Sequence, residues 1–220
     1  MTDFHAHVLP KADHGCKNVE MALGQLAQAQ AVGIRRIVAT PHFYAQRHTV
    51  EEFLLRREYA YQTLEKENNT GVSIVKAAEV TLTSDLANLP RLEDLCVGDT
   101  PYILLELPNN TGAAWVYDAI YKIESSRGLK PIIAHIDRYP KAVQEELLGM
   151  ELMIQINAEA FKSIIKRGQY LKLFQNEMAH LLGSDVHGSD GEHYKAFAKA
   201  CKLLKNEIPD IKKNIKRVLP

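Results

Sequence analysis

Cysteine is scarce in this chain, with three in 220 residues, at positions 16, 96 and 201. An odd, widely separated set implies no disulfide framework. None is followed six residues later by arginine, since Ala22, Tyr102 and Glu207 stand there. The nucleophile loop of a cysteine-based tyrosine phosphatase is therefore missing, and the thiols read as packing residues. An excess of one charge is also lacking, because 27 Lys+Arg balance 27 Asp+Glu. Binding nucleic acid by bulk electrostatics would need a basic excess, and no aromatic-basic strip for single strands is present. A locally bound phosphate is not excluded. No apolar run approaches the roughly 20 residues needed to cross a bilayer, so membrane insertion is not expected. Met1-Thr2-Asp3-Phe4-His5 lacks the basic-then-apolar layout of a signal peptide, and a cytoplasmic location is expected. Repeats, linkers and low-complexity tracts are absent, so one domain over residues 1–220 is the expectation, with 46% hydrophobic residues to build its core.

What is present is alternation. Short apolar runs read as buried strands at Met1 to Phe4, Arg36 to Thr40, Val72 to Ala77, Tyr102 to Leu105, Pro131 to Ala134, Leu152 to Ile156 and His180 to Leu182. Helical spacing lies between them. Val19 to Val32 sets Met21, Leu23, Leu26, Ala29 and Ala31 around one broad face, with Gly33 as a stop signal. Thr49-Val50-Glu51-Glu52 has capping-box spacing and opens a helix to about Asn68. Ala113 to Ser126 forms another, ended near Gly128, and turn chemistry marks Asn68 to Gly71 and Pro108 to Gly112. Strand and helix in repeated alternation imply a mostly parallel α/β sheet, open or closed into a barrel.

The residues that follow the runs carry the chemistry. His5 and His7 follow the first, His42 the second and Glu79 the third; Glu106 ends the fourth and His135 the fifth. Asn157 follows the sixth, and Asp185 and His187 the seventh. Strand C-termini of a parallel barrel share one face, where active sites assemble. Any one of these residues could be a hydrogen-bonded loop residue. The repetition is the signal, because imidazoles and carboxylates are expensive to bury together without a compensating cation. In His5-Ala6-His7 the period of an extended chain points both rings the same way, toward one ion, and Asp185-Val186-His187 repeats the spacing. Nitrogen with carboxylate ligands suits Zn, Mn or Fe better than Mg or Ca. Glu79 and Glu106 can bridge ions, and more than four ligands implies more than one.

His5-Ala6-His7, Ala39-Thr40-Pro41-His42, Ala78-Glu79, Ile133 to Tyr139 and Ser184-Asp185-Val186-His187 together resemble the motifs of the PHP (polymerase and histidinol phosphatase) superfamily. The opening His-Ala-His-Val-Leu-Pro, the Asp13-His14-Gly15 turn and His135-Ile136-Asp137-Arg138-Tyr139 are most like its bacterial tyrosine-protein phosphatases of capsule and exopolysaccharide synthesis. The resemblance implies a distorted seven-stranded (β/α)7 barrel with two or three divalent metals, manganese first. By matching positions, His5, His7, Glu79 and Asp185 would hold one metal, with Glu79 bridging to a second completed by Glu106 and His135. His42, His187 and the residue before Gly15 would hold the third. The family usually carries Asp-Asp-Gly at that turn and this chain has Asp13-His14-Gly15, so His14 is the candidate ligand. A site of three ordinary histidines, with pKa near 6.5, would lose its ion below about pH 6.

The expected activity is metal-dependent hydrolysis of a phosphomonoester. The expected substrate is phosphotyrosine on a bacterial exopolysaccharide tyrosine kinase, with Arg138 gripping the phosphate through its guanidinium fork. Arg138 could instead serve a structural salt bridge. His42 is the candidate general acid, if one is needed. The rivals are a histidinol phosphatase or other small-molecule phosphatase, a nuclease, and a non-catalytic metal-binding scaffold. Lys202, Lys205, Lys212, Lys213, Lys216 and Arg217 near the C-terminus read as a solvated helix face or as a contact for an acidic partner or membrane surface.

Overall fold

All seven apolar runs form strands, and two short strands extend two of those runs. In the computed structural model, which describes residues 1–108, 112–188 and 191–219, the strands are β1 (Thr2–Ala6), β2 (Arg36–Ala39), β3 (His42–Phe43), β4 (Ser73–Lys76), β5 (Glu79–Thr81), β6 (Tyr102–Glu106), β7 (Lys130–Ile133), β8 (Met153–Asn157) and β9 (Leu181–Gly183). The helices are α1 (Val19–Ala31), α2 (Val50–Glu65), α3 (Ala114–Arg127), α4 (Lys141–Leu148), α5 (Arg167–Gln175), α6 (Glu192–Leu203) and α7 (Ile208–Val218). Two 3-10 turns, Leu86–Asn88 and Leu92–Leu95, make the crossover from β5 to β6.

Every named pairing is parallel. One sheet has the order β1-β2-β4 and the other β3-β5-β6-β7-β8-β9. β3 and β5 are the continuations of β2 and β4, so the two sheets are parts of one curled surface. Pro41, lacking an N–H, stands where β2 gives way to β3. Beyond β9 the backbone turns onto β1: Asp185 N–H donates to His5 O at 2.7 Å and His7 N–H to Val186 O at 3.2 Å. The result is an α/β fold with a curled parallel sheet covered by helices.

Local chemistry explains the helix ends. Asn18 caps α1 by accepting from Met21 N–H at 2.8 Å, and Gly33, at φ +86°, takes the left-handed turn beyond it. The capping box of α2 is complete, with Thr49 Oγ1 accepting from Glu52 N–H and Glu52 Oε2 accepting from Thr49 N–H. Gly128, at φ +65°, ends α3. The buried stripe of α1 is Ala22, Gln25, Leu26 and Ala29, narrower than the face read from sequence; Met21 and Leu23 are half-buried and Ala31 is exposed. The turn expected at Pro108 to Gly112 falls mainly outside the described residues. Among the described residues no helix is long and apolar enough to cross a membrane. All three cysteines are free thiols, with Cys16 and Cys96 buried.

Candidate metal centre

The parallel sheet carries its C-terminal strand ends to one rim, and the polar residues gather there. Register places His42 opposite Glu79 across β3 and β5. His5, His7, Glu79, His135 and Asp185 are at most 2% exposed. Two of the strand ends hold strained backbone: His135 has φ +31° and Asp185 φ +52°. Conformations so disfavoured for side chains with a Cβ concentrate at functional sites. Glycine is required nearby for a different reason, close approach. A Cβ on Gly183 would lie 2.6 Å from both His5 Cβ and Gln155 Nε2, and one on Gly15 would collide with His7 Cβ.

Three groups of ligand atoms form, each with its members within 4.8 Å of one another: His5, His7, Glu79 and Asp185; His42, Glu79 and Glu106; and His7, His42 and His187. Glu79 lies in two of them. Its Oε2 stands 3.1 Å from His5 Nε2, 3.2 Å from His7 Nε2 and 3.1 Å from His42 Nδ1, yet has no hydrogen-bond partner. His42 Nδ1, Asp185 Oδ1 and His187 Nε2 are likewise buried without a hydrogen-bond partner. Such orphaned atoms cost about 1–3 kcal/mol each, more when charged. Converging lone pairs of this kind fit a cation, and the residues present suit a divalent metal.

Neighbouring groups set the histidine tautomers. His7 Nδ1 donates to Asp13 Oδ2 at 2.6 Å, leaving Nε2 to face the centre. Asp13 also accepts from His42 N–H at 2.9 Å and Gly15 N–H at 2.8 Å. Gln155 Oε1 accepts from His135 N–H at 2.6 Å and from His5 Nδ1 at 3.2 Å, freeing His5 Nε2. His187 Nδ1 donates to Asp185 O at 3.0 Å. Fixing a ligand's far nitrogen in this way is typical of metal sites.

The protonation states divide the centre. Burial opposes charge on His5 and His7, but the carboxylates around them outweigh it and raise both above the ordinary histidine value, His7 strongly. Burial likewise resists charge on Glu79 and Asp185, and the histidines beside them, His5 foremost, hold both carboxyls far below the carboxylate range. His42 and His187 go the other way, pushed down by burial to about 4. Two histidines of the third group therefore stay neutral well below the pH near 6 expected of ordinary imidazoles.

The structure brings most of the sequence-predicted residues together. His5 and His7 converge, with their Nε2 atoms 3.2 Å apart, and Asp185 and His187 fall in different groups, the division the resemblance implies. His135 joins through Nε2, 2.7 Å from Glu79 Oε1 and 3.8 Å from Glu106 Oε1. His14 lies alongside, not within: exposed, it stacks on His42 at 4.9 Å and 9° and faces His187 at 4.9 Å. Arg138 pairs with Asp185 Oδ2, which also accepts from Asn157 Nδ2 at 3.0 Å, while half of the arginine side chain remains exposed. Sequence reasoning missed the roles of Gln155 and Tyr44. A glutamine inside an apolar strand was the available signal for the first. Tyr44, whose ring lies 5.4 Å from that of His42 with Arg47 stacked over it at 4.8 Å, stands two residues from a ligand.

A curled parallel α/β sheet with a buried histidine–carboxylate centre at its C-terminal rim defines a metal-dependent hydrolase. Comparison narrows the class. The family described as capsular polysaccharide synthesis, CpsB/CapC, matches residues 1–215, and this chain belongs to it. A relative named tyrosine-protein phosphatase CpsB, from Streptococcus pneumoniae, is 29% identical over 208 residues, 86% of this chain and 84% of that protein. Crystal structures of YwqE from Bacillus subtilis and CpsB from Streptococcus pneumoniae, described as metal-dependent tyrosine phosphatases, include a chain that matches with TM-score 0.72 at 22% identity, covering 96% of this chain and 94% of the other. Histidinol phosphate phosphatase from Lactococcus lactis, solved with zinc, L-histidinol and phosphate, matches with TM-score 0.59 at 15% identity over 94% of this chain and 93% of its own. At these identities the structural likenesses concern the fold.

Proposed function

We propose that this chain is a metal-dependent protein-tyrosine phosphatase, one domain over residues 1–220 with a seven-stranded barrel of PHP type. Its proposed substrate is phosphotyrosine on a bacterial tyrosine kinase of capsule or exopolysaccharide synthesis. One observation carries the metal reading: the nitrogens of His5, His7 and His42 surround Glu79 Oε2 at 3.1–3.2 Å without a hydrogen bond. His5, His7, Glu79 and Asp185 would hold one divalent ion, Glu79, Glu106, His42 and His135 a second, and His7, His42 and His187 a third, manganese being the first candidate. When bound, the ions supply Lewis acidity toward phosphate and water.

The chain's own groups do the rest. Asp13 and Gln155 fix the tautomers of His7 and His5, so the ligand nitrogens need no reorientation. Arg138 is the phosphate-binding candidate: pairing with Asp185 aims its guanidinium at the rim, and its exposed half leaves N–H groups free for phosphate oxygens. His42, pushed down to about 4 by burial, is neutral near pH 7 and holds no proton to donate as an imidazolium. That favours a ligand role over general acid. A phenolate leaving group needs little protonation, because its parent phenol has a pKa near 10. The names of the curated relatives support phosphotyrosine as substrate.

The deciding experiment strips the protein with chelator, restores Mn2+, and compares phosphotyrosyl peptide with histidinol phosphate. Activity returning with metal and a higher kcat/KM on the peptide is the expected result. Preference for histidinol phosphate would overturn the substrate, and full activity without metal would overturn the mechanism.

A further inference from the structure

At the opposite end of the sheet, where β1, β2 and β4 begin with Thr2, Arg36 and Ser73, lies a cavity of about 340 Å³. Its volume falls within the roughly 300–1,000 Å³ of small-molecule sites. Leu182 of β9, Phe197 of α6, and Ile208, Ile211 and Ile215 of α7 give it an apolar lining. Four cations, Arg35, Arg36, Lys212 and Lys216, stand around that lining, and no aspartate or glutamate joins them. Among the described residues none of the four forms an ion pair; Arg35 donates only to the backbone carbonyls of Gln30 and Ile34. The one thiol of the lining, Cys201, is pushed up to about 12 by burial, which disfavours the nucleophilic thiolate.

We propose that this cavity binds a small amphipathic anion, an apolar chain or ring carrying one carboxylate, phosphate or sulfonate head. Four like charges around one apolar hollow repel one another, and an anionic head relieves that repulsion while its tail displaces water from the isoleucines. Guanidinium and ammonium donors both suit such a head. Two cations of the lysine-rich C-terminal stretch, Lys212 and Lys216, thereby gain a role that a purely solvated helix face would not give them. None of these residues belongs to the metal centre, so the inference stands apart from the proposed reaction.

The test is calorimetric titration of the full, metal-loaded chain with decanoate, decanol and decyltrimethylammonium. Decanoate should bind saturably at one site, decanol about tenfold more weakly, and the cation not at all. Combining Lys212→Glu with Lys216→Glu should abolish decanoate binding while metal-dependent turnover of p-nitrophenyl phosphate is unchanged. Should that pair lower the melting temperature, Lys212→Gln with Lys216→Gln gives the same reading without charge reversal. Ile211→Trp, which fills the hollow, should also block decanoate. Equal affinity for decanoate and decanol would overturn the proposal, as would decanoate binding untouched by every variant. Binding to anionic phosphatidylglycerol vesicles without binding of soluble decanoate would also overturn it, pointing to surface electrostatics in place of a cavity.

Discussion

Glu79 carries the largest share of the centre at the scale of single residues. It belongs to two ligand groups, and its Oε2 faces three imidazole nitrogens. Glu79→Gln would remove the negative charge proposed to be shared by two cations, which would then repel with less compensation. We expect kcat to fall more than about tenfold at saturating Mn2+, a barrier increase above ~1.4 kcal/mol. Elemental analysis should show fewer bound ions. Asp13 acts at one remove, as a positioning residue through His7, His42 and Gly15. Asp13→Ala should weaken metal affinity by roughly 10- to 100-fold, with activity recovering at high Mn2+; unchanged affinity would assign it to the loop alone. Arg138→Lys keeps the charge and loses the fork. If the arginine grips phosphate, kcat/KM falls with metal content unchanged, whereas a loss of metal would mean that its pairing with Asp185 is its main work.

The strand ends matter more than the strands at the scale of elements. β9 ends at Gly183, and His5 on β1 approaches so closely that any side chain at 183 intrudes on it and on Gln155. Gly183→Ala should destabilise the protein by about 1–3 kcal/mol through overpacking and should loosen the His5 group, lowering metal content at limiting Mn2+. Thermal melting with metal titration checks both; wild-type behaviour in each would show that β1 and β9 slide apart freely. The strand-forming runs, the capping box at Thr49 and the glycine stops at 33 and 128 were legible in the sequence, because each rests on chemistry within a few residues. The breaks that create β3 and β5 were not, since they depend on which neighbour each segment meets across the sheet.

At the scale of the whole molecule, metal binding is expected to be coupled to protons. In the metal-free protein His5 and His7 have raised pKa values. A raised folded value means that their stabilisation is present below the unfolded pKa, about 6.5, and is lost as pH rises through the folded value. Glu79, Asp13 and Asp185 have lowered values; their contribution is present above about 4 and is lost as pH falls. Metal must displace the histidine protons in order to bind. The gain in melting temperature on adding Mn2+ should therefore be larger at about pH 7.5 than at about pH 5.5, and calorimetry in two buffers of different ionisation heat should register net proton release. A gain independent of pH, with no proton released, would mean that the imidazoles are neutral before metal arrives.

By itself the sequence determined the α/β class and the candidate residues of the centre. Apolar runs alternating with helical spacing imply a parallel sheet, and parallel strands place their C-terminal residues on one rim, so His5, His7, His42, Glu79, Glu106, His135, Asp185 and His187 could be gathered without coordinates. Only the tertiary structure decided the finer geometry of those residues. It joined His7 to the group of His42 and His187, set His14 beside the cluster, gave Asp13 and Gln155 the task of fixing tautomers, and turned Arg138 onto Asp185. Those outcomes depend on side-chain directions across strands far apart in the chain, and on burial that shifts one histidine up and another down. Neither is encoded in local spacing.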